Sequence, residues 1–379
     1  MRVAIASIVF PHPRSGVFAG IERLLEGYVA ALVAEGHQVT VFTSFWNGGN
    51  SEDSWGGARV LRFEDSGHRW GKLGRVLDLH YVTWSRNVTN AILADSRAFD
   101  VVHAISPLYD TPRLRRAVVP VVHSFYHYDL LREARQVLYL PVHHAIERRA
   151  YRASERVVAI WNHGGHEVAQ RFGLEAAKVR VVQLGIDLPA TPPNIERKGE
   201  SLLFVGNLEK RKGLDVLLRA LALLPVAVTL DVVGHGTEEA QMRALADELG
   251  VTARVRFLGF VDEPTLDALY RKAAIFVFPS LQVAGFVLWE AMARGCPVLA
   301  TNVGGTAEIV GSGAILVPPS DPEALASAAG MLLRDPTARF ALATRALDVP
   351  RKYSWKTTAI RMRSIYEEAI RSAASRKEL

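Results

Sequence analysis

The chain is poor in the residues that build covalent or metal-bound scaffolds. One cysteine, Cys296, stands among 379 residues, which excludes an internal disulfide and any metal site built from cysteines. Long apolar runs are lacking too. The longest candidate, residues 273–289, is interrupted by Pro279, Ser280, Gln282 and Gly285 and falls short of the about 18–20 apolar residues a bilayer crossing needs. No strong charge of one sign is present: 45 Lys and Arg stand against 39 Asp and Glu, a net +6 that is spread along the chain. That is unlike a nucleic-acid arm, so no nucleic-acid partner is expected. Neither a Walker loop nor a G-x-G-x-x-G fingerprint occurs, which argues against an ATPase or a dehydrogenase. Asp-x-Asp is also missing.

What is present is ample core material. Hydrophobic residues make up 49% and charged residues 22%, so disorder is not expected, and the length favours two domains at about 100–200 residues each. Met1-Arg2 leads directly into a β-branched run ending at Phe10, which reads as a first strand rather than a leader. With the free thiol, a cytoplasmic location is expected. Eleven of the twelve histidines precede residue 189. The segment 130–156 mixes arginines with Leu, Val and Tyr. It reads as the solvated face of a core helix or as a peripheral contact with an anionic membrane face.

Short β-branched runs alternate with amphipathic stretches. Strand 2–10, a Pro- and Gly-bearing loop, a helix over about 21–35 and a strand over 37–43 make a first right-handed parallel unit. Strands follow at 101–104, 118–122, 156–160 and 179–182, with a long helix over 130–152. Residues 188–200 carry three prolines, charges and little apolar material, the composition of a linker. A second series then runs through strands at 202–206, 226–233, 254–258, 274–278 and 297–300, with helices near 214–224, 237–249, 263–272 and 286–294. The tail from about 354 to 371 is helical. The pattern predicts an α/β chain of two doubly wound Rossmann-like domains, with ligand held at the carboxyl ends of the strands, in a cleft across which the domains face.

Three glycine-bearing loops sit where strands give way to helices: residues 15–20, 206–213 and 304–308. Amide groups at a helix start attract anions, and lysine adds a full charge. Lys210, Arg211 and Lys212 beside a strand end therefore suggest a phosphate site, although a tight turn needs its glycine anyway. Glu290 lies in the first turns of an otherwise apolar helix. Two adjacent sugar hydroxyls would satisfy a buried carboxylate there, and a helix-start acid favoured by the dipole is the other reading.

The stretch from Phe278 to Glu308 resembles the donor-site signature of the retaining GT-B glycosyltransferases of the group 1 family (family 4-like). Ala19-Gly20-Ile21-Glu22-Arg23 is similar to that family's Gly-Gly-Val-Glu-Arg loop. Phe204-Val205-Gly206-Asn207-Leu208 with Lys212-Gly213 resembles its Val-Gly-Arg-Leu…Lys-Gly run, and Val232 to Gly236 and Phe257 to Val261 resemble two further steps. The resemblance implies a hexosyltransferase that uses a nucleoside-diphosphate sugar of UDP or GDP type as co-substrate, with no cofactor and no metal. It also implies an acceptor-side domain over 1–188, a donor domain over 189–355 and a closing helix over about 356–379 that packs back on the first.

Residue by residue, the resemblance implies that Glu290 holds the ribose hydroxyls and Lys212 neutralises the diphosphate. Gly20, Gly285, Phe286 and Val287 lie where the family's backbone approaches the donor phosphate and sugar, and Phe260 lies beside the nucleobase. Several positions depart from the family. Gln282 stands eight residues before Glu290, where the first acid of a Glu-x7-Glu pair is usual; it enters the catalytic set as an uncharged hydrogen-bonding group. Asn207 replaces an arginine that contacts the diphosphate, with Lys210 or Arg211 as compensation. His127 is the expected catalytic histidine of the first domain, displaced by one residue from the family's position, with His123 nearby. A glycan, lipid-linked or small-molecule hydroxyl is the expected acceptor. Two alternatives remain open: a catalytically weak member acting as a binding subunit, and a phosphorylase or epimerase on the same fold.

Overall fold

In the computed structural model, residues 1–11, 20–45, 51–64, 79–125, 140–196, 199–282 and 286–376 are described below. The chain divides into two units. One comprises Met1–Gly185 and Ser354–Leu379, and the other Ile186–Tyr353. Residues 186–188, expected with the first domain, go with the second unit, where the Ile186 N–H reaches the Tyr353 carbonyl at 3.3 Å.

The first unit is built on an eight-stranded sheet: β1 (Arg2–Ala6), β2 (Gln38–Phe45), β3 (Ser51–Trp55), β4 (Ala58–Glu64), β5 (Val101–Ala104), β6 (Val121–Phe125), β7 (Arg156–Ala159) and β8 (Val179–Val181). Their order across the sheet is β3-β4-β2-β1-β5-β6-β7-β8. Each strand pair is parallel except β3–β4. Central strands such as β1 and β5 are buried almost end to end, which is why they read as continuous apolar runs.

Two expectations shift. The strand expected at 118–122 forms at 121–125, because Pro120 has no N–H to give the ladder. The β3–β4 hairpin was not expected at all. Its turn is Gly56-Gly57, with φ of 56° and 83°, between the paired Trp55 and Ala58. A two-residue turn with positive φ at both positions fits the twist of the strands it joins and favours glycine.

The helix Trp355–Ser375 closes this unit. Ser354 caps it by accepting the Thr357 N–H at 3.1 Å. Its Tyr366 hydroxyl lies 2.8 Å from His103 Nδ1 and 2.5 Å from the Tyr28 hydroxyl. Its Glu368 carboxylate accepts from Arg156 at 2.9 Å and Arg180 at 2.8 Å.

The second unit has six parallel strands: β9 (Ser201–Val205), β10 (Thr229–Val233), β11 (Val255–Gly259), β12 (Ile275–Phe278), β13 (Val298–Thr301) and β14 (Ala314–Val317), in the order β11-β10-β9-β12-β13-β14. The core on one side packs Phe204, Leu217, Leu221, Val232, Leu245 and Val277, all buried. Each such side chain contributes about 1.5–3 kcal/mol on burial. From β9 the chain winds outward to β10 and β11, and from β12 it winds the other way to β13 and β14. The reversal falls between β9 and β12. At such a switch point the two loops leaving neighbouring strands diverge, and a crevice opens outside their carboxyl ends.

Candidate active site

Two loops meet at that point. The first leaves β9 and turns through a single 3-10 turn, Lys210–Lys212, before the helix Leu214–Leu223. The second leaves β12 through residues 279–282. They are stitched together by backbone. The Arg211 carbonyl accepts the Leu281 N–H at 2.8 Å and the Ser280 hydroxyl at 3.2 Å. Ser280 Oγ in turn accepts the Gln282 N–H at 3.2 Å, and the Thr301 hydroxyl, from β13, donates to the Ser280 carbonyl. Gly213 has φ +69°, and a Cβ there would sit 2.1 Å from the Pro279 carbonyl oxygen. Only glycine permits both that backbone and that approach.

On this frame stand Arg211, Lys212 and Gln282. Arg211 Nη1 donates to Gln282 Oε1 at 3.0 Å, and Arg211 Nε donates to the Glu209 carboxylate. Gln282 is buried. The Lys212 ammonium lies 5.9 Å from the centre of the Phe278 ring. Burial pushes its pKa down from 10.5 to about 8; the positive charge of Arg211 acts in the same direction, and Glu209 opposes. The turn thus carries three basic side chains against one acid, with the lysine partly stripped of water. Such a lysine gains from an anion that restores its solvation.

Glu290 sits in the helix Phe286–Ala293, which buries Leu288, Trp289, Ala291, Met292 and Ala293. Trp289 anchors this helix by donating to the Ile309 carbonyl at 3.0 Å and stacking on Tyr353 with centroids 4.4 Å apart. Glu290 is left half-buried and accepts the hydroxyl of the fully buried Tyr270 at 3.1 Å. Burial, with the Glu290 charge next, pushes the Tyr270 phenol well above its ordinary range, so it remains a donor to that carboxylate.

The other expected residues are placed more loosely. Phe260 follows β11 and is 64% exposed, its ring edge-on to His235 at 5.0 Å. His235 Nδ1 is 2.9 Å from Glu239. Asn207 is exposed; Phe286 and Val287 are half-buried at the start of the Glu290 helix. Gly20 opens the helix Gly20–Ala34 of the first unit. Gly285 and His127 lie outside the described residues. His123 is a core residue. Its Nε2 accepts the Leu108 N–H at 3.2 Å, and burial holds its pKa near about 3.

Glu209, Tyr270, Ser280 and Thr301 were not picked out from the sequence. An acid inside the basic run 209–212 was the available signal for the first. Tyr270 had none, because its contact to Glu290 is made only when the helix Glu263–Lys272 packs beside the Glu290 helix. Among the described residues, no group of three or more His, Cys, Asp and Glu could hold a metal ion, and no helix is long and apolar enough to cross a membrane.

The chain matches known families and folds. Residues 191–348 match the profile of glycosyl transferases group 1, and residues 18–189 that of Glycosyltransferase Family 4. The chain is 34% identical over 226 residues to D-inositol 3-phosphate glycosyltransferase of Corynebacterium urealyticum; the match spans 53% of each protein, so about half of that relative's length. In fold it is similar to sucrose-phosphate synthase from Thermosynechococcus elongatus, with a TM-score of 0.80 at 23% identity over 98% of this chain and 99% of the other. It is also similar to Anabaena HepE in complex with UDP-glucose, with a TM-score of 0.72 at 19% identity over 97% and 99%.

Proposed function

Because the chain belongs to the group 1 glycosyltransferases, we propose that its second unit grips the nucleoside-diphosphate end of an activated hexose, which then passes to an acceptor hydroxyl with its anomeric configuration retained. The observation that carries this reading is the turn after β9 at the switch point of the sheet, where half-buried Arg211 is fixed to Gln282 and half-buried Lys212 lies near the Phe278 ring.

The chemical difficulty of such a transfer is the negative charge that grows on the departing diphosphate. A preorganised cation in a partly dry site stabilises that charge more in the transition state than in the bound donor. Lys212 supplies the cation and Arg211 the second positive group. The Glu290 carboxylate, oriented by Tyr270, suits a pair of ribose hydroxyls. A departing phosphate oxygen on the same face as the incoming hydroxyl takes its proton, so no carboxylate pair flanking the anomeric carbon is required. His127 is proposed as a further catalytic group, Gly20 and the backbone at residues 285–287 as donor contacts, and Phe260 as a neighbour of the base.

UDP is the first nucleotide to test, since HepE holds UDP-glucose on a similar fold. The acceptor is proposed to be a glycan, lipid-linked or small-molecule hydroxyl, with cytoplasmic location and peripheral membrane contact as the setting. Calorimetry with UDP, GDP and ADP tests the site. NMR of the product anomer formed from the matching sugar nucleotide tests the stereochemistry. Binding without transfer would support the binding-subunit alternative, and no binding of any of the three would overturn the reading.

A further inference from the structure

Arg211 is held by two groups of different charge. Its Nε faces the Glu209 carboxylate and its Nη1 faces the Gln282 amide oxygen at 3.0 Å. The amide accepts a hydrogen bond as a carboxylate would, but contributes no charge. Among the described residues, the guanidinium therefore has one full negative partner, set two residues away on its own turn, and one neutral partner on the facing loop. Gln282 is 8% exposed, so a carboxylate there would be poorly screened and would act strongly on Arg211, and its charge would add to that of Glu209 in the field around the turn. Glu209 is the sole acid in the run 209–212.

We infer that Glu209 is a positioning residue, and that Glu209 and residue 282 together must supply Arg211 with a single negative charge: Glu209 provides it, and Gln282 is an amide because the acid is already present. The inference rests on the proposed donor site. The family resemblance places an acid at 282, where this chain has an amide. A second carboxylate would instead close the Arg211 guanidinium between two acids and reduce the positive field available to a diphosphate.

Three variants test this, with UDP binding read by calorimetry across a pH series. Gln282→Glu is expected to weaken UDP binding at neutral pH by about tenfold. It is also expected to move upward the pH at which binding fails, because the added charge holds the proton on Lys212. Glu209→Gln removes the remaining acid and is expected to move that pH downward. The double variant, Glu209→Gln with Gln282→Glu, returns the charge to one and is expected to bring UDP affinity back within about threefold of the parent. Simple structural damage would make the double variant worse than either single one and would leave the pH midpoint in place. Equal binding by the parent and Gln282→Glu, or a double variant no better than the weaker single one, overturns the inference alone. Failure of the parent to bind any of UDP, GDP and ADP overturns the donor-site reading with it.

Discussion

Replacing Lys212 by methionine should make the protein more stable while removing its hold on the nucleotide. The ammonium lies half-buried over the Phe278 ring, and burial lowers its pKa from 10.5 to about 8. That gap corresponds to about 3 kcal/mol of disfavoured charge in the folded state, an upper bound because solvent reaches part of the side chain. The cation–π contact returns about 0.5–1 kcal/mol. Methionine has a similar length and no charge, so Lys212→Met should stabilise the second unit by about 1–2 kcal/mol at pH 7.

The pH dependence has a definite sign. Between pH 8 and 10.5 the unfolded chain still holds the lysine proton that the folded chain releases, so parent stability rises with pH. Below that window both states are protonated and the whole penalty is present. The gain from Lys212→Met should therefore be largest at neutral pH and vanish as pH passes the upper limit. Denaturant unfolding at several pH values, followed by tryptophan fluorescence, measures this, and calorimetry with UDP measures the lost affinity. A Lys212→Met protein less stable than the parent at pH 7, or a difference that does not shrink with rising pH, would refute the reasoning.

Tyr270→Phe removes the donor that orients Glu290 at 3.1 Å; it should destabilise the second unit by about 1–2 kcal/mol and weaken UDP binding several-fold, read by melting and calorimetry. Gly213→Ala adds a Cβ 2.1 Å from the Pro279 carbonyl at φ +69°, so the two stitched loops must part; a melting temperature lowered by several degrees and loss of UDP binding are expected, and a protein with unchanged binding would contradict the stitched geometry. In the first unit, burial holds His103 near about 3 instead of 6.5, so the unfolded chain gains a proton the folded one refuses as pH falls through that window, and stability drops with it. His103→Asn should lessen that slope by up to about 1.4 kcal/mol per pH unit in denaturant titrations, and an unchanged slope would show that His103 is not the group responsible.

How much of this could be read from sequence depended on whether the determinant was local. Buried parallel strands need apolar residues on both faces, so runs such as Leu202 to Val205 and Ile275 to Phe278 announce themselves. The β3–β4 hairpin is an edge pair whose strand Ser51–Trp55 is mostly polar; only its Gly56-Gly57 turn marked it. Within the site, Arg211, Lys212 and Glu290 stand next to glycine loops or in a helix start, and their chemistry is visible in the residues themselves. Their partners are not. Arg211 meets Gln282 across 71 positions, and Ser280 meets Thr301 across 21, because β12 lies between β9 and β13. Strand order, which no local pattern records, decides those pairs.

The same distinction explains why Gln282 and Asn207 look like losses in sequence and less so in the fold. Read along the chain, an amide at 282 is a missing acid and Asn207 a missing arginine. In the structure, Asn207 is exposed, while the guanidinium of Arg211 stands four residues further along the same turn, held by Glu209 and Gln282. The turn carries its positive groups at 210–212, and the acid that faces Arg211, Glu209, stands on the turn itself. A site shaped by electrostatics depends on where the charge ends up and on how dry it is, not on which residue number bears it. Asn207→Arg should therefore add little: the new guanidinium would sit in solvent, where an exposed charge is worth about 0–1 kcal/mol, and UDP affinity should tighten by less than about fivefold. A gain of two orders of magnitude in calorimetry would show that position 207, not the Arg211 turn, commands the diphosphate.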